Sequence, residues 1–157
     1  MRRSGGKPAG VIGAAAVALA LLHGCSESDE SLDFSVLETC VQLRQPATEV
    51  FRSAQAWQDF YRASGGGQPP AVDFSRFLVA ARFEGTGSAC VGFTVEDVVA
   101  DEDRVVIHAT RHESPGPCIA VLAFPQLVVA VEARDLPVEF DVRSVRDEPP
   151  AQPRPCF

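Results

Sequence analysis

"RFLVAARFEGTGSACVGFTVEDVVADEDRVVIHATRH", residues 76–112, decides the fold. Its apolar positions recur every second residue, which is the period of a half-buried strand and not of a helix. Phe77, Val79, Ala81 and Phe83 share one face, Val91, Phe93 and Val95 share another, and alternation resumes after Arg104. The acidic cluster Asp101, Glu102 and Asp103 separates the last two runs, so residues 91–112 are expected to form a hairpin that turns there. The cluster lacks the ligand spacing of a calcium loop, and a hairpin tip accounts for it.

Outward from this stretch the pattern continues. On the C-terminal side "CIAVLAF" (118–124), "QLVVAVEA" (126–133) and "VEFDVR" (138–143) supply more strands, with Pro125 and Pro137 between them. The tail "DEPPAQPRPCF" (147–157) is proline-rich and reads as an extended end pinned through Cys156. On the N-terminal side "TCVQLRQ" (39–45) and "TEVFRS" (48–53) read as short β segments around Pro46. "SAQAWQDFYRASGGG" (53–67) is the one helix: Ala54, Trp57, Phe60 and Tyr61 recur at helical spacing, Ser53 caps the start, and Gly65, Gly66 and Gly67 stop it. The expected class is therefore α+β, mainly β: an antiparallel sheet, small barrel or sandwich with one packed N-terminal helix.

Residues 1–24 read as an export signal. Arg2, Arg3 and Lys7 give a basic start, and the apolar run 9–22 is shorter than the about 20 residues that a spanning helix needs. Leu22, His23, Gly24 and Cys25 resemble a bacterial lipobox, in which the cysteine is acylated. Ser26 in place of aspartate favours the outer membrane, so the expected location is the bacterial cell envelope, lipid-anchored, facing periplasm or surface. Residues 25–35, including "SESDESLDFS", read as an acidic tether, and 36–157 as the folded domain. The chain carries 14 basic and 21 acidic side chains, a net charge of −7, and loss of Arg2, Arg3 and Lys7 makes the mature part more negative. Such a surface repels phosphate backbones, so no nucleic-acid partner is expected.

With Cys25 acylated, Cys40, Cys90, Cys118 and Cys156 remain, most simply as two disulfides in an exported domain. No C-x-x-C pair exists to suggest a metal site, and neither metal nor cofactor is expected. A turn at 101–103 sets Cys90 opposite roughly residue 113, close to Cys118. Cys90 is then expected to pair with Cys118, leaving Cys40 for Cys156. The loops "FEGTGSACVGF" and "ESPGPCIAVLAFP" become neighbours, and they nominate Thr86, Ser88, Phe93, Ser114, Pro115, Pro117 and Phe124 as partner-contacting residues.

Catalytic patterns are sparse. His108 and His112 sit four apart in a strand, on one face but roughly 13 Å apart by strand rise, too far to share one metal ion. No G-x-S-x-G elbow supports a serine hydrolase, and Gly65, Gly66 and Gly67 end a helix instead of opening one over a phosphate.

"VFRSAQAWQDFYRA", "VDFSRFLVAARFEG", "VGFTVEDV" and "RHESPGPC" together resemble the C-terminal domain of protease complex subunit PrcB, over roughly residues 50–142. Trp57, the lead-in Asp73-Phe74-Ser75, the pair Gly92-Phe93 and the turn Ser114-Pro115-Gly116-Pro117-Cys118 stand at the family's places. Phe93 replaces a tyrosine, and the "GTGSACV" loop is distinct. The resemblance implies a small lipoprotein that associates with an exported subtilisin-like protease and supports its maturation. The expected function is thus a membrane-anchored, non-catalytic binding or assembly module, an accessory subunit of an exported protease. The alternatives are a protease inhibitor and a periplasmic enzyme using His108 or His112 with a carboxylate. The anchor is testable at once: Cys25→Ser is expected to abolish acylation and move the protein from the membrane fraction to the soluble one. Mass spectrometry and membrane sedimentation check this.

Overall fold

A computed structural model describes residues 29–116 and 122–147. Ten strands and one helix follow in chain order: β1 (Glu30–Ser31), β2 (Phe34–Val36), β3 (Pro46–Phe51), α1 (Ala54–Ala63), β4 (Phe77–Glu84), β5 (Gly87–Ser88), β6 (Val91–Ala100), β7 (Val105–Glu113), β8 (Leu122–Ala123), β9 (Gln126–Glu132) and β10 (Val138–Val145). Two four-stranded sheets form, β1-β6-β7-β10 and β2-β9-β4-β3, with a two-stranded ribbon β5-β8 at one end. The class is α+β and mainly β, an open sandwich and not a closed barrel.

Three layers result. Between the sheets lie Leu32, Leu78, Ala80, Val98, Val105, Ile107, Leu127, Val129 and Val131. On the far face of the second sheet lie Val79, Ala81, Phe83 and Val128, covered by Phe51, Trp57 and Tyr61. The second sheet is therefore buried on both faces, and "LVAA" in β4 reads as an apolar run because each side of the strand meets a core.

The helix forms as expected. The Ser53 side chain accepts from the Ala56 N–H at 3.3 Å, an N-cap that satisfies one free helix donor. Gly65 at φ +72° carries the chain out, and a Cβ on Gly66 would meet the Tyr61 ring at 2.3 Å. Ala54 is exposed, whereas Trp57 is 1% exposed. The Trp57 indole N–H donates to the Pro70 carbonyl at 3.3 Å, and its ring lies 5.1 Å from both Phe51 and Tyr61.

The hairpin also forms, with Val91 opposite Glu113 and Ala100 opposite Val105. Its tip is closed by Asp101, whose carboxylate accepts from the backbone of Asp103 at 3.0 Å and Arg104 at 2.8 Å. Those backbone bonds, Asp103 first, lower its pKa from 3.8 to about 2. A bulge between Val95 and Asp97 accommodates Glu96.

Two expectations need correction. The acidic segment is not all tether: β1 and the first two residues of β2 lie within 25–35, and Leu32 is 3% exposed in the inter-sheet core. One buried leucine and the Arg134–Glu30 ion pair at 2.7 Å hold it there despite its charge; residues 25–28 lie outside the described part. "TCVQLRQ" is not a strand, because the Gln126 side chain takes the place of a neighbouring backbone. Its Oε1 accepts from the Val41 N–H and Thr39 hydroxyl at 3.2 and 3.0 Å, and its Nε2 donates to the Val41 carbonyl. The pairing is mainly antiparallel, as expected, with one exception: β10 runs parallel to β7 after the chain has crossed to the other sheet through β9. Of "CIAVLAF", residues 118–121 lie outside the described part, and Leu122–Ala123 is strand.

Because Trp57 anchors the aromatic layer, Trp57→Ala is expected to destabilise by roughly 3–5 kcal/mol. Urea unfolding checks the loss, and the wild-type indole emission is expected to be blue-shifted and shielded from quencher.

Candidate functional site

Two regions hold the residues that the sequence nominated. The first is the end of the sandwich carrying the loops after β4 and β7. Gly85 at φ +75° starts the first loop, and a Cβ there would meet the Arg44 carbonyl at 2.8 Å, so the turn requires glycine. Gly87 pairs with Ala123 and Ser88 with Leu122, which ties this loop to the segment leading into β9. The Ser88 hydroxyl accepts from the Cys90 N–H at 3.1 Å, and the Cys90 carbonyl accepts from the Ser114 N–H at 3.1 Å. In the second loop the Ser114 hydroxyl accepts from the Gly116 N–H at 3.4 Å. The two loops are therefore neighbours, with Cys90 opposite Ser114.

The nominated residues divide. Thr86 and Pro115 are exposed, and Ser88 and Ser114 are half-buried, so these four are available at the surface. Phe124 is 9% exposed and belongs to the interior, and Phe93 is half-buried against the inter-sheet core. Neither phenylalanine is an exposed loop contact: alternation in β6 turns the Phe93 ring toward the core, and Phe124, just past β8, is buried. Pro117 and Cys118 lie outside the described residues, as does Cys156. Cys40 and Cys90 are both disulfide-bonded, and the expected pairings with Cys118 and Cys156 fall on that undescribed part. Leu122, which the sequence did not single out, is 60% exposed beside Ser88. Below the loops, Arg111 donates to Glu84 at 2.9 Å and to Glu113 at 3.0 Å, a bridge between the two sheets. The Glu84 bond leads in raising the pKa of Arg111.

The second region is the outer face of the first sheet. Strand alternation places Thr94, His108, Thr110 and His112 there, and the parallel register brings Asp141 beside His108 and Arg143 beside Thr110. His108 Nδ1 lies 3.1 Å from Asp141. His112 Nδ1 lies 2.7 Å from Asp147, and its Nε2 lies 3.0 Å from the Thr94 hydroxyl. Thr110, 3% exposed, donates to Glu96 and accepts from Arg143 at 2.7 Å. The Thr110 hydroxyl first, and the Arg143 guanidinium after it, hold the Glu96 carboxyl below the usual range.

Each histidine thus has a carboxylate partner that sequence spacing did not reveal. The signal was present in "VEFDVRSV", which sets Glu139, Asp141 and Arg143 on one face, but the strand it would join was not legible. The chain Thr94–His112–Asp147 has the order of donors and acceptors of a nucleophile, base and orienting acid. Thr94 sits within a regular strand, however, and not on a sharp elbow that would project its hydroxyl toward a substrate. The same bonds staple β6, β7 and the chain after β10 together. No cluster of three or more metal-ligating side chains occurs among the described residues.

Comparison with protein-family models, curated proteins and solved structures gives no match.

The stapling geometry ranks the two histidines. His112→Ala is expected to lower stability by about 1–2 kcal/mol, because it loses two hydrogen bonds at a site only 14% exposed. His108→Ala is expected to cost under about 1 kcal/mol, since its side chain is 38% exposed and its pair is screened. Urea midpoints of the two variants check the order.

Proposed function

We propose that this protein is a lipid-anchored, non-catalytic binding module of the bacterial envelope that serves an exported protease as an accessory subunit. One observation carries the reading: the loops around Cys90 and Ser114 are bonded to each other on the end of a rigid sandwich. A loop pair ordered before contact loses less entropy on binding, at about 0.5–1.5 kcal/mol per side chain already fixed. Loops on a rigid scaffold are also where partner choice concentrates. The resemblance to the PrcB C-terminal domain over Trp57, Gly92-Phe93 and the turn at 114–118 supports a protease as the partner. The signal and Cys25 support the anchor, and the acidic charge supports a protein partner over nucleic acid.

A second reading, a hydrolase, is favoured by the Thr94–His112–Asp147 chain alone. Replacing His108 and His112 together with Gln separates the two. The binding module keeps its cellular activity within a few fold, whereas an enzyme loses several orders of magnitude while still folded. Titration against protease activity separates helper from inhibitor.

The test of the leading reading is co-purification from the native envelope. The wild type is expected to retain a protease. The Cys90→Ser/Cys118→Ser variant is expected to lose capture about tenfold while folded, as two or three loop side chains lose their order. The Cys40→Ser/Cys156→Ser variant is expected to melt earlier yet capture normally.

A further inference from the structure

Among the described residues the second sheet ends in an open edge. In the order β2-β9-β4-β3, strand β3 pairs with β4 on one side, and Thr48 and Glu49 are exposed. An antiparallel edge strand turns every second N–H and C=O away from its neighbour, toward any chain that can pair with them. Along this edge runs a groove of about 480 Å³ lined by Pro46, Ala47, Thr48, Arg82, Phe83 and Glu84.

Charge at the groove points to its occupant. Arg82 stands opposite Thr48, one strand in from the edge. Its Nε is buried without a hydrogen-bond partner among the described residues. The carboxylate beside it, Glu84, is 3.9 Å from Nη2 and is itself held by Arg111 at 2.9 Å. Arginines 62, 104, 111, 134 and 143 each have a carboxylate within 3.1 Å. Arg82 has no carboxylate that close, and it lines a groove in a chain of net charge −7.

We propose that this edge binds an extended peptide segment bearing a carboxylate, which adds as a strand to β3 and places the carboxylate on the Arg82 guanidinium. Backbone pairing supplies affinity, and alternate side chains supply selectivity. Strands lie about 4.8 Å apart, so an added strand runs about 10 Å from the Arg82 Cα, within the joint reach of an arginine and a glutamate side chain. Arginine suits the role because its planar fork meets a carboxylate through two parallel bonds. The inference rests on the binding-module reading and adds a partner chemistry to it, at a surface distinct from the Cys90 loops.

The probe is a blocked pentapeptide, threonine–valine–glutamate–valine–threonine, titrated at millimolar concentration into the labelled full chain while backbone amides are followed by NMR. Shifts and slowed exchange are expected at residues 47–51. The same peptide with central glutamine is expected to bind at least about tenfold more weakly, as is the glutamate peptide to Arg82→Gln. The glutamine peptide with a free C-terminus separates a side-chain carboxylate from a terminal one. Equal binding of the glutamate and glutamine peptides to wild type overturns the proposal, and that comparison needs no variant to fold. Perturbation away from β3, or none, overturns it too. A protease still captured from the envelope beside such a result removes the edge site alone, whereas peptide binding without any captured protease leaves the edge site standing.

Discussion

The second sheet must be apolar on both faces, and the rest of the molecule follows from that demand. Val79, Ala81 and Val128 face the helix while Leu78, Ala80, Val129 and Val131 face the first sheet. Because β4 and β9 offer no polar side, one layer must cover each face. The hairpin β6–β7 with β10 supplies one cover, and α1 with its aromatic cluster supplies the other. Where coverage ends, charge begins: Glu84, at the last position of β4, meets Arg111 from the opposite sheet. The loop end of the sandwich is thus the boundary at which the apolar demand stops. Polar loops sit there with an inter-sheet ion pair whose hydrogen bond to Glu84 outweighs the partial desolvation of Arg111.

Much of this was legible. Period-two alternation gave β4, β6, β7, β9 and β10, and the cluster 101–103 gave the hairpin register to within one residue at Cys90. Ser53, Trp57 and Gly65 gave the helix and both its ends. What stayed hidden involves contacts distant in sequence. Alternation within β10 marks its polar face but carries no information on whether it joins β7 or β9, or in which direction. The role of Gln126 as a surrogate strand for Val41 depends on one side-chain amide reaching 85 residues back. Leu32 is the one buried residue of a mostly polar, acidic stretch, and local composition outweighed it although it reaches the core.

The candidate residues show the same division. Thr86, Ser88, Ser114 and Pro115 stand on one loop surface because they are local to turns. Phe93 and Phe124 were drawn into the loop surface by their position near those turns, yet alternation in β6 sends the Phe93 ring inward and Phe124 is buried beyond the end of β8. The carboxylates of His108 and His112 come from β10 and the chain beyond it, and only the parallel register joins them.

That parallel pairing sets an order of assembly. The β6–β7 hairpin closes over a short turn, so its contacts form early and at little entropic cost. Strand β10 reaches β7 only from residues about thirty positions away, with Val138 opposite Val105, after β9 has found its place in the other sheet. Without β10 the far side of β7 would be an unpaired edge eight residues long. Glu139, Asp141 and Arg143 alternate along the late strand, and its partner face carries two histidines and a threonine, so a wrongly chosen apolar strand would leave those groups unsatisfied. The polar stripe therefore matches β10 to β7: an apolar strand in its place would forfeit the bonds of Asp141 to His108 and of Arg143 to Thr110.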